Sequence, residues 1–194
     1  MHIRVYEVVA DSNVCQGLIP IDQNTWRTKV LDFSSCSSKA DGWVSPALKV
    51  NDPKRERGSF FYVAAGAFAT DARGKEVIES LNCDKIELLP LRVSDSDLWA
   101  VNVLQCDLSF LDLAKTKFHR SPQTQVPFGV EEYVFNAESL RGVNLFKTPR
   151  GEYPGGTFIF SVSDDMYPGR DFRKLVADER LTGLRFRELW TDGD

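Results

Sequence analysis

The sequence predicts an α+β fold in which a mixed, mostly antiparallel sheet carries a few packed helices. Aromatic and β-branched runs such as "FFYVAA" (60–65) and "KIELLPLRV" (85–93) are typical of strands. Between them, "GKEVIESLN" (74–82) has apolar residues at helical spacing. The polar connection "SDSD" (94–97) then leads into the apolar run "LWAVNVL", and this arrangement predicts an antiparallel hairpin whose second strand is central in the sheet.

The chain divides at about residue 58 into two segments of different character. Residues 1–58 contain one clear strand candidate, Ile3 to Val8, followed by Ser-rich turns and the charged connector "NDPKRERG". Residues 59–194 contain the regular pattern of strands and helices. With 194 residues, 42% of them hydrophobic, the chain suits one domain. We therefore expect 1–58 to be an N-terminal strand and turn-rich extension packed on an α+β domain, 59–194.

The end of the chain repeats an earlier pattern. "TFIF" (157–160), a helix over about 171–178 and a strand over 184–189 follow one another as the elements around residues 60–93 do. An offset of 98 residues carries Phe60–Tyr62 onto Phe158–Phe160, and Val77 and Ile78 onto Leu175 and Val176. Two similar strand–helix–strand units are expected, from a duplication or from generic packing. The predicted left-handed ends of their helices are Asn82 and Gly183.

Composition argues for a soluble, cytoplasmic protein that does not bind nucleic acid or membranes. The net charge is −4 from 28 acidic and 24 basic residues, and no basic block is present. The first residues lack the apolar core of a signal peptide, and no run is long enough to cross a membrane. Without a secretion signal, the four scattered cysteines (Cys15, Cys36, Cys83 and Cys106) are expected to be reduced and mostly buried thiols.

Few residues suggest catalysis, and we predict neither an enzyme nor a cofactor or metal site. The only histidines are His2 and His119, and a dyad of His119 with Cys106 stays open although no spacing supports it. The carboxylates Asp95 and Asp97 suit a hairpin turn. Near the end of the chain, a second acidic group suits the start of a helix. Its members are Asp164, Asp165 and Asp171.

The run from about Phe60 to Trp190 resembles immunity-protein family eleven of bacterial polymorphic toxin systems. The resemblance lies in "VIESLNCDKIELLPLRV", "LWAVNVLQCDLSFLD", "EEYVFN" and "TFIFSVSDDM", and above all in "FRKLVADERLTGLRFREL". It implies a small cytoplasmic protein that binds and neutralises a cognate protein toxin encoded nearby, and it implies no catalytic residues. In place of the polar residue that commonly follows the first strand, this chain has Ala64, Ala65 and Gly66.

An immunity protein needs an interface with aromatic anchors and a polar rim. Candidate anchors in loop-like segments are Trp26, Trp43 and Tyr153, although core packing is an alternative for each tryptophan. The candidate acidic rim consists of Asp95, Asp97, Asp164 and Asp165. Two other classes remain: an intracellular hydrolase-like enzyme that uses Cys106 and His119 or the carboxylates around Asp164, and a module that binds a small ligand in an apolar pocket.

Overall fold

The fold is α+β, as the sequence predicts, with twelve strands and three helices among the residues that the structure describes. The computed structural model describes residues 2–22, 24, 31–93, 96–148 and 157–193. The strands are β1 (Ile3–Ala10), β2 (Leu18–Pro20), β3 (Ala47–Val50), β4 (Phe60–Ala64), β5 (Ala67–Thr70), β6 (Ile86–Val93), β7 (Ser96–Val103), β8 (Lys117–Arg120), β9 (Pro127–Glu132), β10 (Leu145–Lys147), β11 (Ile159–Asp164) and β12 (Leu184–Thr191). The helices are α1 (Ala72–Ser80), α2 (Ala137–Leu140) and α3 (Phe172–Asp178).

A four-stranded antiparallel sheet has the order β10-β11-β1-β12. Its interior strand β1 has buried apolar residues on both faces, among them Ile3 and Val5 on one face and Val8 on the other. The segment expected to be an N-terminal extension thus supplies a central strand. Residues 1–58 also contribute β2 and β3 to the second sheet, so they are part of the fold rather than an addition to it.

The six-stranded sheet has the order β2-β3-β6-β7-β5-β4, and only β3 and β6 are parallel. The hairpin β6–β7 is confirmed, and β7 lies in the middle of the sheet between β6 and β5. The turn is shorter than the predicted 94–97, because Val93 pairs with Ser96 and Asp97 already lies in β7. Pro90 sits where β3 does not reach β6, and its carbonyl oxygen accepts a hydrogen bond from Trp43 Nε1 at 2.8 Å.

The two repeated units share one arrangement, although their first strands differ from the expectation. β5 and β6 are parallel to each other with β7 between them, and β11 and β12 are parallel with β1 between them. In each unit the helix joins the two outer strands. The offset of 98 would match β4 to β11, but β5 occupies the equivalent position, because the tight β4–β5 hairpin inserts an additional strand.

The left-handed residues that follow the two helices do keep the offset of 98 positions. Asn82 follows α1 with φ 48°, and Arg180 follows α3 with φ 53°, so each occupies the left-handed position after its helix. The Leu181 N–H donates to Val176 O at 2.9 Å and the Arg180 N–H to Ala177 O at 3.0 Å, which is the Schellman pattern. The prediction for Asn82 is confirmed. The prediction for Gly183 is wrong, because the helix has already ended at Asp178.

Gly183 instead has a packing role. A Cβ atom at this position would lie 2.1 Å from Phe60 O, and φ is 105°. The preceding carbonyl, Thr182 O, accepts hydrogen bonds from the Ser59 and Phe60 N–H groups, both at 3.0 Å. The Gly183 carbonyl accepts one from Asp11 N–H at 2.8 Å. The backbone at 182–183 therefore joins the ends of three elements, and only glycine fits there.

Three apolar clusters form the core. The central one lies between the two sheets and contains both α1 and α3. Phe172 of α3 is fully buried in it, and its ring lies 5.9 Å from that of Phe60, 6.0 Å from Phe68 and 5.7 Å from Phe186. A second cluster covers the other face of the six-stranded sheet, and a third covers the other face of the four-stranded sheet.

A segment without regular structure, residues 31–43, covers the outer cluster of the six-stranded sheet; we call it the strap. Its Phe33 is fully buried, and a disulfide joins Cys36 to Cys106. The expectation of reduced thiols is wrong for these two residues, because the fold brings together cysteines that are 70 positions apart. Cys15 and Cys83 are free thiols, Cys15 buried and Cys83 half-buried.

The segment from 105 to 136 contains a single 3-10 turn, Leu108–Phe110, and little other helical structure. Strands β8 and β9 in this segment form a separate two-stranded ribbon. Phe128 on this ribbon is 65% exposed.

Candidate functional site

The connection between β11 and α3 presents two adjacent exposed apolar side chains with charged side chains beside them. We call residues 164–170 the Tyr167 loop. Residues 165–170 are all exposed, with Met166 49% and Tyr167 42% accessible. The sequence predicts this segment as an acidic group near a helix start, and the apolar pair inside it was missed. The sequence signal for this pair is Met-Tyr followed directly by Pro-Gly. Pro-Gly marks a turn, and a turn has no strand or helix face through which the two side chains could be buried.

Asp164 holds the start of the loop. Its side chain is only 3% exposed, and Oδ1 accepts hydrogen bonds from the Met166 N–H at 2.9 Å and from Arg141 Nη1 at 3.2 Å. The Tyr167 N–H donates to the Asp164 carbonyl at 2.8 Å. Asp164 was expected at the exposed rim of an interface. It is buried instead, because it pairs with Arg141 and closes the turn that presents Met166 and Tyr167.

Asp165 attaches the loop to the N-terminal strand. The His2 N–H donates to Asp165 Oδ2 at 2.9 Å, and the Asp165 N–H donates to His2 O at 3.1 Å. The hydrogen bond from His2 N–H, with the more distant Arg4 guanidinium, lowers the pKa of Asp165 below its usual range. Asp165 therefore carries a negative charge at neutral pH. Its side chain is 40% accessible, so it keeps the exposed position expected of a rim residue.

The far end of the loop is fixed by the start of α3. Asp171 is the N-cap, as the sequence predicts: Oδ1 accepts the Lys174 N–H at 3.0 Å, and Oδ2 accepts Ser163 Oγ at 2.6 Å. Arg170 is exposed, and its guanidinium lies 5.9 Å from the centre of the Tyr167 ring. The loop is thus tied down at both ends, so its exposed side chains project from a defined backbone.

A polar cavity of about 300 Å³ lies beside the loop. Arg170 lines this cavity and also contacts the Tyr167 ring. Gly142 lines it as well, and a Cβ atom added to Gly142 would lie 4.0 Å from Tyr167 Cε2. The lining comes from the connection between α1 and β6, from Gln105 after β7, from the segment before β10 and from the Tyr167 loop. Its polar members are Asn82, Asp84, Lys85, Gln105, Arg141, Asn144 and Arg170.

The other predicted anchors and rim residues are dispersed. Trp43 is half-buried, packs on the outer cluster of the six-stranded sheet, and lies 6.2 Å from Phe33 between ring centres. It holds the strap, which is the core-packing alternative. Asp97 is exposed, and it lies in β7 opposite Arg92 instead of in the turn. Three further predicted residues lie outside the described residues: Trp26, Asp95 and Tyr153.

The proposed Cys106–His119 dyad is not assembled. The Cys106 sulfur is bonded to Cys36, so it has no thiol to act as a nucleophile. His119 is exposed on β8, where its ring stacks on Phe128 with centres 5.9 Å apart. Asp164, the centre of the carboxylate alternative, is paired with Arg141. These contacts give Cys106, His119 and Asp164 structural roles in the fold.

Comparisons with known proteins leave the functional class open: neither the protein-family models nor the curated proteins contain a match to this chain. Within the described ranges, no helix has the length and hydrophobicity of a membrane span. In the same part of the chain, His, Cys, Asp and Glu side chains form no group of three or more that could hold a metal ion.

Proposed function

We propose that this protein works by binding another protein, as a cytoplasmic immunity protein that inhibits a cognate bacterial toxin through the Tyr167 loop. The observation that carries the proposal is the exposed Met166–Tyr167 pair on a loop fixed at both ends. The sequence resemblance to immunity-protein family eleven supplies the class of partner. Inhibition then follows from covering the active site or another essential surface of the toxin.

The composition of the loop suits a protein interface. Tyr, Met and Arg are enriched in the centres of such interfaces, and Tyr and Arg supply a large share of the binding free energy. Tyr167 and Met166 provide apolar area, and Arg170 and Asp165 provide charge beside it. Unpartnered apolar side chains on a soluble surface are unremarkable singly, but a rigid adjacent pair with flanking charges is typical of a binding site.

Preorganisation favours this loop over the surface around Phe128. Phe128 and Val126 are 65% and 58% exposed on or beside the β8–β9 ribbon, which pairs with neither of the two larger sheets. The Tyr167 loop, in contrast, directly follows β11, an interior strand of its sheet. Two buried carboxylates, Asp164 and Asp171, hold its ends. A surface that is ordered before binding loses less conformational entropy on association.

The Cys36–Cys106 disulfide is unusual for a protein of the cytoplasm. Cytoplasmic thiols are mostly kept reduced, whereas Cys36 and Cys106 are joined. An immunity protein in the cytoplasm would need this bond to be protected by burial or to be dispensable for binding. Counting the free thiols of the denatured, unreduced protein tests this point separately from partner binding.

The test is co-expression of the chain with the product of a neighbouring gene, followed by size-exclusion chromatography and a growth-rescue assay. The proposal expects a stoichiometric complex and restored growth. Tyr167→Ala should weaken the complex by about 2 kcal/mol or more while the melting temperature is unchanged. Phe128→Ala, which removes another exposed aromatic ring, is the matched control and should bind as the wild type does.

The outcomes separate the surface from the function. Loss of the complex with Phe128→Ala but not with Tyr167→Ala would move the interface to the β8–β9 ribbon and leave the immunity proposal standing. Failure of every neighbouring product to bind or to be neutralised would overturn the proposal itself.

A further inference from the structure

The cavity beside the Tyr167 loop has an excess of positive charge. Three cationic side chains line it, Lys85, Arg141 and Arg170, against the single carboxylate Asp84. The Asp84 side chain is 87% exposed, and its Oδ2 lies 3.7 Å from Lys85 Nζ. Because both groups of this pair are largely in water, the pair neutralises little of the field inside the cavity.

The two arginines differ in how their charges are balanced. Arg141 is paired with the buried Asp164. Arg170 has no carboxylate within ion-pair distance in the part of the chain that the structure describes, and its known contact is the face of the Tyr167 ring. A guanidinium held against an aromatic ring keeps its hydrogen-bond donors available in the ring plane. Arg170 is therefore the open anion-binding group of this site.

A second observation comes from the inner wall of the cavity. Asn144 is only 4% exposed, and its Nδ2 donates to Leu81 O at 3.3 Å. Its Oδ1 is buried without a hydrogen-bond partner. Because Oδ1 is also closed to solvent, Asn144 is a fixed part of the wall and does not present a free group to the cavity. Arg170 therefore remains the group on the lining that is open to an anion.

We propose that this cavity receives an acidic side chain, an aspartate or glutamate, of the protein that binds the Tyr167 loop. The carboxylate is held by the Arg170 guanidinium, with the Lys85 ammonium on the same lining adding to its attraction. The volume of about 300 Å³ is at the lower end of small-ligand sites, which suits one side chain. The inference rests on the proposed function for its source of the carboxylate, but the site chemistry can be tested without any partner.

The first experiment is a heteronuclear NMR titration of the full chain with a blocked amino acid, N-acetyl-glutamate-N-methylamide, at constant ionic strength. The matched probe, N-acetyl-glutamine-N-methylamide, has nearly the same shape and no charge. We expect saturable shifts of the backbone amides of residues 141–145 and 170, and about tenfold tighter binding of the glutamate probe, since a charge-assisted hydrogen bond is lost with glutamine.

Two variants locate the charge effect. Arg170→Gln should reduce the affinity for the glutamate probe to that for the glutamine probe. Lys174→Gln, which removes an exposed cation four residues away that does not line the cavity, should leave it unchanged. Equal affinities for the two probes, shifts confined to other surfaces, or equal effects of the two variants would overturn the proposal.

The second experiment distinguishes a partner's side chain from a free small carboxylate. In the complex found by co-expression, Arg170→Gln should weaken association about tenfold and the glutamate probe should compete with the partner. A complex that is lost with Tyr167→Ala but unaffected by Arg170→Gln would keep the proposed function and overturn the present inference. If the probe binds to the chain but no neighbouring gene product forms a complex with it, the proposed function is overturned and the cavity is assigned to a free carboxylate.

Discussion

At the scale of single residues, Gly183 shows how strongly one position can depend on its backbone contacts. It lies in "LTGLRF", and three elements meet at the peptide groups of residues 182–183. The close approach to Phe60 tolerates no side chain, which explains why the residue here is glycine.

Gly183→Ala is expected to destabilise the protein by at least about 3 kcal/mol. The added Cβ would meet Phe60 O at 2.1 Å, and an L-residue is strained at φ 105°. Gly169→Ala is the control, because a Cβ there meets no atom within 4 Å and φ is not in the left-handed region. Urea unfolding of both variants measures the difference. Similar unfolding free energies for the two would show that the backbone at 182–183 relaxes at little cost.

Lys147 is a second residue whose environment decides its chemistry. It is fully buried, and its Nζ donates to Phe33 O at 2.8 Å, Ser35 O at 3.3 Å and Asn102 Oδ1 at 3.1 Å. All three ammonium protons thus have acceptors. Burial lowers the pKa of Lys147 to about 8, with a further contribution from Lys39, and Glu87 and Asp32 oppose the shift.

The shift predicts a pH dependence of stability with a definite sign. Between about pH 8 and the usual lysine value of 10.5, the unfolded chain binds more protons at this residue than the folded chain. The contribution of Lys147 to the unfolding free energy therefore rises with pH across that window, by roughly 3 kcal/mol. Urea unfolding of the wild type and of Lys147→Met at pH 7.5 and pH 10 measures it as the change in their difference. A difference that stays constant with pH would contradict the buried, shifted amine.

At the scale of elements, the strap is held by side chains in place of a strand ladder. Glu87 on β6 accepts the Lys39 N–H at 3.0 Å and Asn102 Nδ2 at 2.9 Å, as well as a hydrogen bond from Ser38 Oγ. Burial acts to raise the pKa of Glu87, but these hydrogen bonds outweigh it and the pKa is lowered. With Lys147 and the Cys36–Cys106 disulfide, they fix a segment that has no regular structure of its own.

Breaking the disulfide is expected to lower stability by roughly 4 kcal/mol, because it closes a loop of 70 residues in the unfolded chain. The measurement is urea unfolding with and without a phosphine reductant, with the double variant Cys36→Ser/Cys106→Ser as the control that should not respond. Thiol titration of the denatured, unreduced protein should find two free thiols, from Cys15 and Cys83. Four free thiols would contradict the bond and remove the objection to a cytoplasmic location.

The elements that the sequence predicts well are those set by local chemistry. Asn82 and Asp171 end and begin helices because of properties of their own side chains, and the β6–β7 hairpin follows from two strand runs with a short polar turn. The failures have two causes. The end of α3 at Asp178 is predicted well, but Arg180 was missed as the left-handed residue after it, because Gly183 is the more usual residue type for that position. The other failure is non-local. No spacing rule connects Cys36 with Cys106.

At the scale of the whole molecule, the candidate site depends on relationships that a single sequence does not contain. Local patterns give the acidic residues around the Tyr167 loop, but not that Asp164 is buried against Arg141. The cavity needs the connection between α1 and β6, the segment before β10 and the Tyr167 loop to meet, and these three are distant in the chain. The same holds for β1, which reads as an isolated strand and becomes the centre of a sheet.

The central cluster is shared by the two sheets, although each sheet has its own outer cluster. Phe172 contacts Phe60 and Phe68 of the six-stranded sheet and Phe186 of the four-stranded sheet, so its ring bridges the two. The backbone contacts at 182–183 join the same sheets. If the sheets unfold only together, the most protected amides of β1 and β7 must exchange through the same global opening.

Phe172→Ala tests this coupling, because it should remove about 3–5 kcal/mol from the unfolding free energy and lower the protection of both strands equally. Hydrogen exchange, followed residue by residue by NMR, measures the opening free energies of amides in β1 and β7 in the wild type and in the variant. Two independent units would instead give unequal values in the wild type, and the variant would lower chiefly those of the four-stranded sheet, to which α3 is connected in the chain. Equal values and equal losses would mean that a partner bound at the Tyr167 loop stabilises the strap-bearing sheet as well, since binding to the native state raises the free energy of the only opening available.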